Sequence, residues 1–163
     1  MSDGASSLLL KSVRLRDVIP DDLPTLFRHQ LDPESNRLAA VNPRNSAQFD
    51  TLWAKILNDP NIVANAILAD DILVGHISCF EMDGHNAVGY WIGRECWGRG
   101  IATRALALFL EQVVIRPLHA RVARHNVASI RVLERCGFVM SGYQESPGDD
   151  RYCACEETVL VLV

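Results

Sequence analysis

The stretch Tyr90-Trp91-Ile92-Gly93-Arg94-Glu95-Cys96-Trp97-Gly98-Arg99-Gly100-Ile101-Ala102-Thr103-Arg104-Ala105-Leu106 brings together residue types that can hold an anion. Apolar residues at Leu106, Phe109, Leu110 and Val113 line one face of a helix that begins after Gly100. A helix N-terminus leaves backbone N–H groups unpaired and carries roughly half a positive charge. Gly98 and Gly100 lack the Cβ atoms that would keep a ligand from those amides. No Ser, Asp or Asn directly precedes Gly100 to cap the helix, so phosphate is the expected anion. Two familiar phosphate loops do not fit. A dinucleotide G-x-G-x-x-G needs a third glycine where Thr103 stands, and a P-loop needs Gly-Lys-Ser/Thr where Ile101-Ala102 follows. Taken alone, the pattern reads equally as a tight strand-to-helix turn.

Other reactive residues give less. The five cysteines, Cys79, Cys96, Cys136, Cys153 and Cys155, are an odd number without a disulfide framework, which fits a reducing cytoplasm. Cys153 and Cys155 would share a strand face, but no second pair completes a zinc site. A helix N-terminus lowers a thiol pKa, so Cys96 invites attention; it has no neighbouring His and reads as structural. The histidines show no ligand spacing, and His125 reads as a loop residue or a cofactor contact.

These residues need elements to position them. Leu8 to Arg16 reads as a first strand, and Asp21 or Asp22 caps a short helix containing Leu23, Leu26 and Phe27. Asp32 to Arg44, with its prolines, reads as a loop. Ser46 opens a helix carrying Phe49, Leu52, Trp53, Ile56 and Leu57 on one face, with core packing the plainer job of Phe49 and Trp53. Ile62–Ala69, Ile72–Met82 and Ala87–Gly93 form an antiparallel meander with turns at Asp70-Asp71 and at Asp83-Gly84-His85-Asn86. After the Gly100 helix, Pro117 ends the helical run and His119–Arg124 is a short strand. Asn126–Cys136 is a helix stopped by Gly137, and Val139–Glu145 and Glu157–Val163 close the fold. The expectation is one α+β domain over 8–163, with about seven strands and about four helices, behind a polar tail over 1–7 that does not read as a secretory signal.

The second informative stretch is Asn126-Val127-Ala128-Ser129-Ile130-Arg131-Val132-Leu133-Glu134-Arg135-Cys136-Gly137-Phe138. Together with Tyr90–Gly93 and Trp97–Thr103, it resembles the GCN5-related N-acetyltransferase (GNAT) superfamily. More narrowly it resembles the branch named for the ribosomal-protein N-terminal acetyltransferases RimJ and RimL. The resemblance spans roughly Leu10 to the C-terminus and is strongest from Gly75 to Tyr143. It implies a GNAT acyl-CoA N-acyltransferase fold, with a mostly antiparallel sheet whose central strands splay apart. It further implies acetyl-CoA as cofactor, coenzyme A as product, and direct acetyl transfer to a primary amine in a ternary complex.

On the matching positions, the resemblance places the amides of Trp97, Gly98, Arg99, Gly100, Ile101 and Ala102 around the pyrophosphate. It places the backbone of Trp91, Ile92 and Gly93 along the thioester arm, with an N–H near Ile92 stabilising the oxyanion. The first position of the family's R/Q-x-x-G-x-G/A loop falls on Glu95, which removes one cation. Asn126 either meets the cofactor arm and the loop beneath it or caps its helix. The tyrosine acid used by many members is replaced by Leu133. Ser129 fits a serine used in this branch, as proton donor or cofactor contact, or it bonds locally in the first helical turn. Tyr143 is a weaker candidate acid with core packing as its plainer role. Glu81 is the candidate base, near the end of a central strand and facing the acceptor side, with a solvated strand-end carboxylate as the alternative.

The acceptor is expected to be an amine, on a protein N-terminus or a small molecule. Asp32, Glu34, Asp149 and Asp150 in the two rimming loops either attract a cationic amine or are merely solvated. Arg37, Arg44 and Arg124 leave an anionic acyl donor open. A net charge of −4 argues against general nucleic-acid binding. At 48% apolar and 22% charged, the chain contains no run of ~18 apolar residues, and no membrane role is expected. Dimers are common in the branch, which leaves a homodimer open. Two other readings stand beside the enzyme: a non-catalytic acyl-CoA-binding or sensing domain, and an antibiotic or polyamine acetyltransferase on the same fold.

Overall fold

Left-handed backbone at four residues sets the meander at the centre of the sheet. The computed structural model describes residues 9–163. Asp70 and Asp71 (φ 48° and 66°) turn β2 (Val63–Ala69) into β3 (Ile72–Met82), and Asp83 and Gly84 (φ 50° and 78°) turn β3 into β4 (His85–Ile92). Both are two-residue turns with φ above zero twice, the geometry whose twist matches that of the flanking strands. Asp tolerates it because its short side chain bonds locally. The Asp70 carboxylate also accepts the N–H groups of Lys11 (3.0 Å) and Ser12 (2.8 Å), which fixes the entry to β1 (Val13–Asp17).

The sheet has seven strands in the order β1-β2-β3-β4-β5-β7-β6, where β5 is Leu118–Ala123, β6 Val139–Ser146 and β7 Cys155–Leu162. Every neighbouring pair is antiparallel except β4 and β5. These two run parallel and meet at one pair, Ala87 with His119, beyond which they diverge. The rings of His85 and His119, 4.3 Å apart, stack at that vertex. The expected splay of the central strands is therefore present.

Alternation along the strands gives each face its own core. Ile77, Leu118 and Leu160 face α4 (Ile101–Gln112) and α5 (Val127–Arg135), packing with Leu106, Phe109 and Leu133. Ala66 faces α1 (Leu23–His29) and α3 (Ser46–Asn58), with Leu26, Phe49 and Trp53. Phe27, Phe49, Trp53 and His76 form a run of edge-on and tilted rings 5.1–6.1 Å apart, so Phe49 and Trp53 are core residues as expected. Among the described residues, no helix is long and apolar enough to cross a membrane.

Three expectations need correction or qualification. Asp32–Arg44 is not all loop: Pro33–Ala39 forms a helix, α2, which makes five α-helices among the described residues. Asp32 caps it by accepting the Ser35 N–H (2.9 Å), and Pro33 sits at the first turn, where its missing N–H costs nothing. The first strand begins at Val13; Leu8 and the tail over 1–7 lie outside the described residues. Asp22 stands at the start of α1 without bonding to it, and Asp21 does not cap it either. Asp22 instead accepts the Ile19 N–H (2.9 Å) and both Nη groups of Arg16 (2.7 and 2.9 Å).

The Arg16 guanidinium holds the buried Asp22 carboxyl below the usual carboxylate range. A depressed folded-state pKa contributes stability that is complete above the unfolded value, about 3.9, and is lost as pH falls through the folded one. Asp22→Asn is expected to lower unfolding free energy by about 1–3 kcal/mol at neutral pH. In urea titrations the difference from wild type should stay constant from neutral pH down to about 5 and shrink below about 4. A pH-independent difference would contradict the pair's role.

Candidate active site

Parting of β4 and β5 leaves backbone groups facing a gap. The Gly93 N–H donates to Val74 O at 2.8 Å, which makes Ile92 and Gly75, opposite each other in register, a non-hydrogen-bonded pair. The N–H and C=O of Ile92, and by alternation those of Tyr90, therefore point away from β3, toward the edge that β5 has left. Gly75 has to be glycine, because a Cβ there would lie 2.1 Å from Trp91 O.

The gap widens toward the C-terminal ends of both strands, where two helices begin. Gly98 and Gly100 have φ of 77° and 75°, and a Cβ on either would meet nothing within 4 Å. Backbone conformation, not crowding, requires glycine here, and it leaves open space over the amides. Gly100 is the N-cap of α4 and makes no side-chain cap bond, so the first N–H groups of α4 remain open. Trp97 swings its indole back so that Nε1 donates to Ile92 O (3.0 Å), anchoring the glycine loop to β4.

A cavity of about 400 Å³ occupies this gap. Of the residues marked out by the sequence, Trp91, Ile92, Trp97, Gly98, Gly100, Ile101, Ala102, Asn126 and Ser129 line it. Gly93 is buried beneath it, and Arg99 turns to Asp70 (4.0 Å), with its Nε lacking a partner. Asn126 lines the cavity and also caps α5, accepting the Ser129 N–H at 3.4 Å. Ser35, Leu38 and Ala39 of α2 form another wall. His125 ties that wall to the α5 turn through Arg37 O (2.9 Å).

Glu81 and Tyr143 are not brought into the cavity. Glu81 has the strand parity of Ile77 and Cys79, so it shares their face and not the α1–α3 face. It is exposed, pairs with Asn86 beside the β3–β4 turn, and lies six positions along β3 from Gly75. Period two alternates faces, and the count puts Glu81 on the α4–α5 face, outside the cavity. Tyr143 lies on β6, about half exposed, with the Arg124 guanidinium 4.0 Å from its ring centroid.

Two features were missed by reading the sequence. Tyr90, in the face-parity of Val88 and Ile92, reaches across the gap so that its Oη lies 2.7 Å from Ser129 Oγ. Burial pushes its pKa up to about 12, so it stays a neutral phenol. A tyrosine among apolar positions of a buried strand face was the available signal. Arg131 and Arg135 also line the cavity from α5, supplying cations near the glycine loop. Their i, i+4 spacing, on the side marked by Ala128 and Val132, was legible. Burial, and then Glu95, raises the Cys96 thiol pKa, so the helix N-terminus does not activate it. Glu95 itself lies 3.7 Å from His29 Nε2.

An open strand edge, an uncapped helix N-terminus and a hydroxyl pair meet around one gap, an arrangement that fits an anion at the helix end and backbone pairing along the strand. A family model described as the acetyltransferase (GNAT) domain matches residues 12–139, and the chain belongs to this family. It is 22% identical over 159 residues, 87% of this chain and 89% of the other, to p20 of Bacillus licheniformis, named as an uncharacterised N-acetyltransferase. YdaF of Bacillus subtilis (strain 168), provisionally named a ribosomal N-acetyltransferase, is 32% identical over 114 residues, 63% of this chain and 62% of YdaF. The fold matches Mycobacterium smegmatis RimJ, solved in complex with CoA-disulfide, with a TM-score of 0.74 and 21% identity, covering 92% of this chain and 81% of that one.

Gly100→Ala places a Cβ in a left-handed conformation and is expected to cost about 1–2 kcal/mol in urea unfolding despite the open space around it. Unchanged stability would contradict the positive φ on which the loop depends.

Proposed function

We propose that the protein is an acetyl-CoA-dependent N-acetyltransferase that moves an acetyl group to a primary amine by direct transfer. The observation that carries this reading is the convergence of the open β4 edge, the uncapped α4 terminus and the Ser129–Tyr90 hydroxyl pair on one cavity. Acetyl-CoA supplies an acetyl group activated as a thioester. The loop amides of Trp97–Ala102, with Arg131 and Arg135, hold its phosphates, as helix N-termini hold such anions. Tyr90 and Ile92 offer strand-like hydrogen bonds to its amide-bearing arm, and an N–H of this edge stabilises charge developing on the acyl oxygen.

In this reading the amine forms the N–C bond as the C–S bond breaks, and Ser129 gives its hydroxyl proton to the departing sulfur. Tyr90 replaces that proton through their 2.7 Å contact, and the proton shed by the amine, carried by solvent, restores the Tyr90 phenol. Neither Glu81 nor Tyr143 is given a role in transfer. The non-catalytic acyl-CoA-binding reading remains the alternative, since the tyrosine many family members use is Leu133 here.

Acetyl-CoA at a hundred times its Kd is expected to stabilise the fold by about 2.7 kcal/mol, a rise of roughly 5–11 °C in melting temperature; ATP and NADH should give none. Amine-dependent release of CoA thiol should follow, with kcat reduced about a hundredfold or more in Ser129→Ala and less in Tyr90→Phe, while the acetyl-CoA shift persists. Stabilisation by acetyl-CoA without thiol release for any amine would favour the binding domain. Full activity in both variants would remove the hydroxyl pair from the mechanism.

A further inference from the structure

Three of the four acidic residues expected to rim the acceptor side, Asp32, Glu34 and Asp149, are already engaged, and Asp150 is exposed. Asp32 caps α2 and meets Arg94 (3.4 Å), Glu34 pairs with Arg37 (2.6 Å), and Asp149 accepts the N–H groups of Arg151 and Tyr152 (2.8 Å each). The charges drawn inward on that side are two arginines. Arg44 follows α2, and Arg151 lies in the β6–β7 loop; both are half-buried, and among the described residues neither guanidinium meets a carboxylate.

Their positions are built rather than incidental. Gln30, itself buried, grips the Arg44 backbone from both sides: its Nε2 donates to Arg44 O (3.0 Å) and its Oε1 accepts the Arg44 N–H (2.8 Å). Buried Asn36 donates to Gln30 O (3.0 Å) and holds that grip. The Arg151 loop is fastened to the same segment by a β-bridge between Val41 and Tyr152, by the Asn42 N–H to Arg151 O (2.7 Å), and by the Cys153 N–H to Ala40 O (2.9 Å). Arg151 Nη1 also donates to Asn42 O. Its Nε is buried without a partner, as are Nδ1 of His29 and of His76.

This cluster adjoins the cavity. His76 is opposite Trp91 in the β3–β4 register, and the Trp91 indole donates to His29 O (3.3 Å). Arg44 lies close enough to His76 and to Arg151 to lower the proton affinity of both. Burial, and then the Arg44 charge, brings Arg151 down to about 10, so both arginines remain charged at neutral pH, while His76, near 4, is neutral. Two like charges partly withdrawn from water, one with an Nε–H that has no partner, are unfavourable unless an anion offsets them. The planar guanidinium fork matches a carboxylate.

We propose that Arg44 and Arg151 bind a carboxylate carried by the acceptor amine, which makes the acceptor amino-acid-like rather than a polyamine. This rests on the transferase reading of the adjoining cavity, and it gives Trp91 two neighbours, the acetyl donor along β4 and the acceptor over His76.

The test compares each L-amino acid with its carboxamide, and with spermidine, as acceptors with acetyl-CoA and with succinyl-CoA. Acids are expected to exceed their amides in kcat/KM by about tenfold or more. Arg44→Gln and Arg151→Gln should abolish that preference by raising KM for the acids, with the acetyl-CoA thermal shift unchanged. Equal use of amides, or preference for spermidine, would overturn the proposal. So would a wild-type preference for succinyl-CoA that the variants lose while the acid-to-amide ratio stays put, because the carboxylate would then belong to the donor. A readout independent of turnover separates this inference from the transferase reading. Calorimetry on CoA-loaded protein should show N-acetyl-amino acids binding about tenfold or more tighter than N-acetyl-amino amides, a difference lost in both variants. No difference there overturns the proposal whether or not acetyl transfer is seen.

Discussion

The parallel ladder between β4 and β5 holds at Ala87 and His119 and then stops. A sheet that stayed paired would satisfy every backbone group of Tyr90 and Ile92 internally. Because it parts, those groups face the gap; the Ile92 carbonyl is taken by the Trp97 indole, and the groups left unpaired seek partners. Parallel pairing makes the parting productive, since each strand leads into a helix at the same end. The open edges, the α4 N-terminus and the Asn126-capped start of α5 therefore gather around one cavity. The two glycines at φ near 75° and the Trp97–Ile92 bond keep the connecting loop in place over that space.

The two faces of the sheet divide the work. On the α4–α5 side, Ile77, Leu106, Phe109, Leu118 and Leu160 make a dry core that anchors both helices whose N-termini meet at the gap. On the other side the packing is thinner, and polar residues enter it: His29, Gln30, Asn36 and His76 mix with Trp53 and Phe49. Polar groups in that setting need partners or a ligand. The short helix α2 and the Val41–Tyr152 bridge close the second side over Trp91 without sealing it.

Legibility followed the range of the physics. Strand β3 was read to the residue, and β4 to within two, because period-two alternation and two-residue turns are local signals. The glycine loop and the Asn126 helix were legible because their chemistry lies within a few positions of sequence. Helix α2 is harder to read because proline breaks a helix interior but starts a first turn, and Asp32-Pro33 is such a cap and first-turn pair. Parity with Ile77 and Cys79 is itself a local signal, and carried along β3 it gives the face of Glu81. Tyr90 with Ser129 and Arg44 with Arg151 are joined across 39 and 107 positions, and only the assembled sheet and loops bring them together.

The claim at the centre is that the open β4 edge and the α4 N-terminus receive one and the same ligand. Backbone amide resonances recorded during titration with CoA test it most directly. The account predicts that Tyr90, Ile92, Gly98, Gly100, Ile101 and Ala102 shift together with a single Kd, while β1, β2 and β6 do not. Saturable binding that moved the α4 amides but left Tyr90 and Ile92 unchanged, or no perturbation around the gap at all, would contradict it.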